Sequence, residues 1–222
     1  LFKEHNYVIW GDFCTCGNEC FILQNKFHPW DDVDFKIQIK CPACGKGIDI
    51  DKDKASKFYN QKILSYFSNV DGDVIDLGCG GGFLSSFLVD IENVKRIYAV
   101  DCDEDCGEDI EKISDRENKI TFSKMDVINL DKHFKDKNID YIVSRDVFMF
   151  VEDTDKYFDD ITRIVQKGIR QMGWYMSSNK RMKNNLLPEQ IADELLKRNW
   201  DVKIEYLNWY KSGYFIEANK LK

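Results

Sequence analysis

Val74-Ile75-Asp76-Leu77-Gly78-Cys79-Gly80-Gly81-Gly82-Phe83-Leu84 is the stretch on which the fold of this 222-residue chain turns. It opens as a short buried strand with an acidic residue near its end. It then passes through glycines at alternate positions and enters an apolar-periodic helix. Glycine lets the backbone turn tightly and lets a ligand approach without a Cβ in the way. Ligands of open α/β sheets bind at the carboxyl ends of such strands, near the switch in strand order. The spacing separates two kinds of ligand. A dinucleotide fingerprint needs G-x-G-x-x-G, but counted from Gly78 the sixth position is Phe83, so that pattern fails. Asp76, Gly78, Gly80 and Gly82 form acidic-x-G-x-G-x-G instead.

Strand and helix periods alternate downstream. Strands are predicted at 73–77, 96–101, 119–123, 139–144 and 171–178, and helices at 83–91, 104–115, 154–167 and 188–198. Gly168 is expected to cap the helix that precedes it, and Pro188 suits a first helical turn. Two closing strands, 202–210 and 214–218, turn at Lys211-Ser212-Gly213 and must run antiparallel. This pattern predicts an α/β fold with a doubly wound, mostly parallel sheet covered on both faces.

The ends of successive strands carry polar groups. Tyr98-Ala99-Val100-Asp101-Cys102 closes the second strand, and Ser123-Lys124-Met125-Asp126-Val127 follows the third. Ser144-Arg145-Asp146 follows the fourth. Singly, each Asp also suits a cap or turn; the set together with the glycine loop reads as one site. It resembles the class I S-adenosylmethionine (SAM)-dependent methyltransferases over roughly residues 55–219. The resemblance implies a Rossmann-like sheet of seven strands with the last one reversed. It implies that Gly78, Cys79, Gly80 and Gly82 wrap the methionine part of SAM while Asp76 serves its amino group. Asp101, followed by Cys102, would take the ribose hydroxyls. Asp126 would take the adenine amino group, with the Val127 N–H on the ring, and Ser144 would end the strand that faces the sulfonium. Asp146 is the candidate base, and Arg145 would hold a substrate or cofactor carboxylate. His133 is read as an exposed helical residue that could otherwise reach the cleft.

Five of the eight Cys fall in the first 44 residues: Cys14, Cys16, Cys20, Cys41 and Cys44. Cys14-Thr-Cys16-Gly and Cys41-Pro-Ala-Cys44-Gly look like two metal knuckles, and four thiolates in two close pairs suit structural zinc. Cys20 is a candidate substitute for Cys14, and an iron–sulfur cluster is the other reading of the thiol set. Short strands around 7–10, 21–23 and 35–39 make this a zinc-ribbon-like segment. The polar stretch 51–54 places its boundary, giving a segment 1–54 and a methyltransferase domain 55–222. An apolar helical face follows at Phe58, Tyr59, Ile63, Tyr66 and Phe67.

The net charge of −7 argues against a general nucleic-acid binder. No apolar run approaches the ~20 residues of a membrane span, and no secretory segment is evident, so a cytoplasmic location is expected. The acceptor is expected to be a small molecule methylated on O or N. Lys180, Arg181 and Lys183, after the fifth strand, would meet an anionic group on it. Two alternatives stand beside this: an RNA methyltransferase that uses the zinc segment to position RNA, and a non-catalytic zinc-ribbon binding module on a methyltransferase-like fold.

Overall fold

The computed structural model describes residues 6–32, 34–113, 118–134, 138–175 and 180–221. The chain forms two compact units. One comprises Leu1–Tyr66 with Leu207–Gly213, the other Phe67–Tyr206 with Tyr214–Lys222.

The first unit holds two antiparallel hairpins and a helix. Strand β1 (Val8–Phe13) pairs with β2 (Glu19–Gln24), in a register running from Val8 opposite Gln24 to Phe13 opposite Glu19. Strand β3 (Ile37–Lys40) pairs with β4 (Gly47–Ile50). Helix α1 (Lys52–Ser65) follows at once. The polar stretch 51–54, expected to be a boundary, is the start of this helix. The Asp51 carboxylate accepts the Lys54 N–H at 3.0 Å, which satisfies one of the four orphan donors of a helix N-terminus. Trp10, Ile50 and Ala55 bury beside Cys14, Cys20 and Cys41. A turn from far along the chain completes the unit. Tyr210 bridges to Val8, the Lys211 N–H donates to the Tyr7 carbonyl at 3.0 Å, and the Trp209 and Tyr210 rings pack on Tyr59. Contacts thus group α1 and residues 207–213 with the Cys-rich head, a different division from one drawn after residue 54.

The second unit runs β5 (Gly72–Leu77), α2 (Phe83–Leu88), β6 (Val94–Asp101), α3 (Cys106–Glu111), β7 (Ile120–Lys124), α4 (Leu130–Phe134), β8 (Ile139–Arg145), α5 (Thr154–Ile164), β9 (Val165–Trp174), α6 (Pro188–Lys197), β10 (Trp200–Leu207) and β11 (Gly213–Lys220). These strands form one seven-stranded sheet in the order β10-β11-β9-β8-β5-β6-β7. β5 pairs parallel with β6 and β8, β6 with β7, and β8 with β9. Adjacent β10 and β11 are joined by residues 208–212, too short a link for a parallel crossover, so they are antiparallel. Every residue of β5 is buried, as a central strand covered on both faces requires. The crossovers leave β5 toward β6 and β7 and then return to β8. The switch in direction lies between β5 and β8, and that places the crevice.

The predicted stripe of α5 is buried at Tyr157, Phe158, Ile161 and Ile164, but the helix stops at Ile164 and Gly168 does not cap it. Val165 is already extended (φ −85°, ψ 134°), and Gly168 lies inside β9 opposite Tyr141. A Cβ there would stand 2.7 Å from the Tyr141 ring, so this glycine serves close strand packing. The last predicted strand pair shifts for a local reason. The Tyr210 N–H bonds back to the Leu207 carbonyl at 3.1 Å, so β10 ends at Leu207 and not at residue 210. The predicted ends of two elements, 114–115 and 176–178, lie outside the described residues. Among the described residues no helix is long and apolar enough to cross a membrane.

Candidate active site and metal centre

Beyond Leu77 the chain leaves β5 in a left-handed turn. Gly78 has φ 67°, and a Cβ on it would lie 2.3 Å from the Val147 side chain, so both conformation and space require glycine. The Gly78 and Cys79 N–H groups donate to the Val100 carbonyl at 2.8 and 3.0 Å. The Gly80 N–H donates to Asp101 Oδ2 at 2.9 Å. The glycine loop is therefore tied to the carboxylate that ends β6. Gly82 stands at the start of α2. Asp76, 1% exposed, accepts the Ser85 hydroxyl at 2.6 Å. Burial pushes its carboxyl up to about 6, against the lowering effect of the Ser85 hydrogen bonds.

A cavity of about 370 Å³ opens at these strand ends, within the size range of small-molecule sites. Gly78, Asp101, Cys102, Asp126, Val127, Arg145 and Asp146 meet on its wall. Asp76, Cys79, Gly82 and Ser144 are buried and, with Gly80, are not on that wall. Asp101 Oδ1 also accepts the Asp103 N–H at 3.0 Å. Asp126 caps the short 3-10 turn Val127–Asn129, with Oδ1 accepting the Ile128 N–H at 3.1 Å. A carboxylate offers about four lone-pair positions, so neither bond exhausts its acceptor capacity. Arg145 stacks its guanidinium over the Phe83 ring at 4.3 Å. Asp146 adopts a left-handed backbone (φ 61°), with its N–H on the Met172 carbonyl at 2.9 Å. Strained left-handed residues concentrate at functional sites.

Sequence reasoning missed the apolar wall: Leu77, Val100, Met125, Val147, Phe150 and Val151. One signal was present. Val147-Phe148-Met149-Phe150-Val151 is an apolar run placed after a strand that has already ended, and such a run outside a regular element marks a wall or an interface. His133 is exposed on α4 and lines an open depression with Lys124, Asn129 and Lys132 that shares Cys102, Met125 and Asp126 with the cavity. Lys180, Arg181 and Lys183 are exposed on the loop after β9; residues 176–179 of that loop lie outside the described residues.

The Cys-rich head brings four thiols together. Cys14 and Cys16 sit in the turn between β1 and β2, Cys41 and Cys44 in the turn between β3 and β4. Their Sγ atoms all lie within 4.8 Å of one another, and the cross-hairpin pairs Cys14–Cys44 and Cys16–Cys41 are each 3.6 Å apart. A tetrahedron with metal–sulfur bonds of ~2.3 Å has edges of about 3.8 Å, so this donor set matches a four-coordinate thiophilic ion. The Cys41 thiol is lowered to about 6, first by backbone N–H groups led by that of Cys44. Cys20, the candidate substitute for Cys14, is buried beside the group with its Sγ toward the Asn18 carbonyl at 3.7 Å, and it is not one of the four.

With this geometry in place, the relationships of the chain can be stated. The family description "Methyltransferase domain" matches residues 68–217, and the chain belongs to that family. It is similar to magnesium protoporphyrin IX methyltransferase from Synechocystis PCC 6803, solved with bound S-adenosylhomocysteine. The two share 17% identity over 75% of this chain and 84% of that one, with a TM-score of 0.57. It is similar to the N-methyltransferase NodS from Bradyrhizobium japonicum WM9, at 12% identity over 75% and 97% of the chains, TM-score 0.61. It also resembles an N-methyltransferase of Haemonchus contortus in complex with phosphomonomethylethanolamine and S-adenosylhomocysteine, at 16% identity over 73% and 52%, TM-score 0.60. No curated protein matches the chain. The family makes the chain a methyltransferase-domain protein, and its fold is shared with solved SAM-dependent methyltransferases.

Proposed function

We propose that the chain moves a methyl group from SAM to an oxygen or nitrogen of a small-molecule acceptor, in the cavity at the ends of β5, β6 and β8. The observation that carries this reading is the Gly80–Asp101 hydrogen bond, which joins glycine loop and ribose-binding carboxylate into one cradle beside Asp126, Arg145 and Asp146. When bound, SAM supplies a methyl group on sulfonium sulfur: the acceptor lone pair forms the new bond as the carbon–sulfur bond breaks, leaving the neutral thioether and a proton to be removed.

The chain's own residues bind and align. Asp101 accepts the ribose hydroxyls, with Cys102 beside it. Asp126 accepts the adenine amino group and the Val127 N–H meets the ring, while Met125 and Phe150 supply apolar walls. Gly78, Cys79, Gly80 and Gly82 shape the turn around the methionine part, with Asp76 and Ser144 behind it. Arg145, held over Phe83 next to that loop, takes the carboxylate. Asp146 accepts the acceptor's proton. Alignment alone supplies ~7–11 kcal/mol of such a barrier.

The thiols of Cys14, Cys16, Cys41 and Cys44 bind one structural zinc. Four protein ligands close its coordination shell, so it folds the head and takes no part in transfer. Metal analysis of the purified chain should give one zinc, lost on Cys41→Ser; a full complement in that variant excludes this ligand set. A thiol set used as metal ligands fits a cytoplasmic setting.

The decisive measurement pairs calorimetry with label transfer. S-adenosylhomocysteine should bind the wild type and bind Asp101→Ala about 10- to 100-fold more weakly, the scale of a lost charge-assisted hydrogen bond. Incubation with methyl-labelled SAM and a cell extract should place label in small molecules. Label in RNA would replace the acceptor class, and undiminished binding by Asp101→Ala would refute the assigned cradle.

A further inference from the structure

The loop after β9 carries three cations in four residues, Lys180-Arg181-Met182-Lys183, in a chain with a net charge of −7. All three cations are exposed. What distinguishes this loop from a solvated charge run is how it is fastened. The Lys183 N–H donates to the Met149 carbonyl at 2.8 Å. The Asn184 side-chain amide donates to two carbonyls, Phe148 at 2.7 Å and Val151 at 2.8 Å. Its Oδ1 accepts the Leu186 N–H at 3.3 Å. Asn184 thus closes the 3-10 turn Phe148–Phe150 onto the basic loop. Phe150 and Val151 of that same segment line the cavity. The Lys183 backbone is anchored one residue from Phe150 of the cavity wall, and Lys180 and Arg181 precede it within three residues.

Charge inside the cavity sharpens the point. Asp101, Asp126 and Asp146 line it, and among its described lining residues Arg145 is the only cation, already stacked on Phe83. An anionic acceptor group placed there would face three carboxylates against one cation, and that cation is the one assigned to the cofactor's carboxylate. The acceptor could be held by the rim, with its nucleophilic end inside near Asp146 and its anionic end outside on the lysines and arginine.

Resting on the reading of this cavity as the methyl-transfer site, we infer that the acceptor carries a phosphate or carboxylate, which Lys180, Arg181 and Lys183 bind, and that Asn184 is the positioning residue that holds this loop at the cavity mouth. Guanidinium and ammonium groups bind either anion through charge-assisted hydrogen bonds.

The test uses the full chain with methyl-labelled SAM and the small-molecule fraction of a cell extract. Label made by the wild type should be retained on an anion exchanger. Alkaline phosphatase should release it if the anion is a phosphate ester and leave it if the anion is a carboxylate. The Lys180→Ala/Arg181→Ala/Lys183→Ala variant should lose transfer by about tenfold or more, the scale of one or more lost charged hydrogen bonds. Its affinity for S-adenosylhomocysteine should equal that of the wild type. Inorganic phosphate should inhibit the wild type and barely affect the residual activity of the variant, while Lys180→Arg/Lys183→Arg should keep transfer. Asn184→Ala should raise the KM for the labelled acceptor more than it lowers kcat. A neutral or cationic product, or full activity in the triple alanine variant, would overturn the inference. Failure of the wild type itself to bind S-adenosylhomocysteine would overturn the reading beneath it.

Discussion

Asp76 is the residue with the most to lose from ionisation. Its carboxyl is buried, and burial lifts it from 3.8 to about 6. Between those pH values the folded chain holds a proton that the unfolded chain has released, so this group favours folding at low pH and the benefit drains away as pH rises to about 6. The loss amounts to about 3 kcal/mol. Denaturant melts of cofactor-free Asp76→Asn should therefore gain on wild type between pH 4.5 and 7, taken as rough bracketing values around that window; a difference independent of pH would show that Asp76 is not the titrating group. Binding should run the other way. A carboxylate that serves the cofactor's ammonium must be ionised, so S-adenosylhomocysteine affinity should climb as pH rises through about 6, and a flat profile would remove Asp76 from that role. The acidic residues were legible because they fall at or just past the carboxyl ends of successive strands, a recurrence with few structural causes. Phe150 and Val151 were not, because an apolar side chain reads as core until the fold shows that it faces a cavity.

At the level of elements, the βα turn at Gly78 is the tightest constraint. Gly78→Ala sets a Cβ against Val147 and forces a left-handed alanine, which costs about 2 kcal/mol or more. Calorimetric affinity for S-adenosylhomocysteine and the thermal midpoint should fall together; a variant with both unchanged would mean that the turn can relax without opening the cradle. Turn glycines at alternate positions were legible because their spacing has few other causes. Gly168 was misread because a capping glycine and a strand glycine look alike in sequence, and only its partner Tyr141, across β8, distinguishes them. The start of α1 was hidden for a related reason: Asp51 in a run of charges gives no apolar period to read, although its side chain makes the cap. The paired Cys spacings were legible because each pair sits within a single hairpin turn, so local sequence already brings it together.

At the scale of the molecule, the seven-stranded sheet with its last strand reversed followed from the family resemblance, whereas membership of the first unit had no signal in the sequence. Nothing local marks residues 207–213 as part of the Cys-rich head. Their pairing with Tyr7 and Val8 joins positions at opposite ends of the chain. A fragment spanning residues 67–222 would bare Trp209 and Tyr210, which are 7% and 4% exposed in the whole chain. Such a fragment should bind a hydrophobic fluorescent dye more strongly than the full chain and precipitate sooner; equal dye binding would mean that these rings find other cover. The discontinuity of the first unit also bears on the order of events at the ribosome. Both Cys pairs are translated by residue 44, yet the turn that completes their unit is not made until residues 207–213. At ~5–20 residues per second that interval is roughly 8–34 s, during which the nascent head could take up the proposed metal but could not finish folding. Zinc captured early would hold the opening segment in register until the end of the chain arrives to close it.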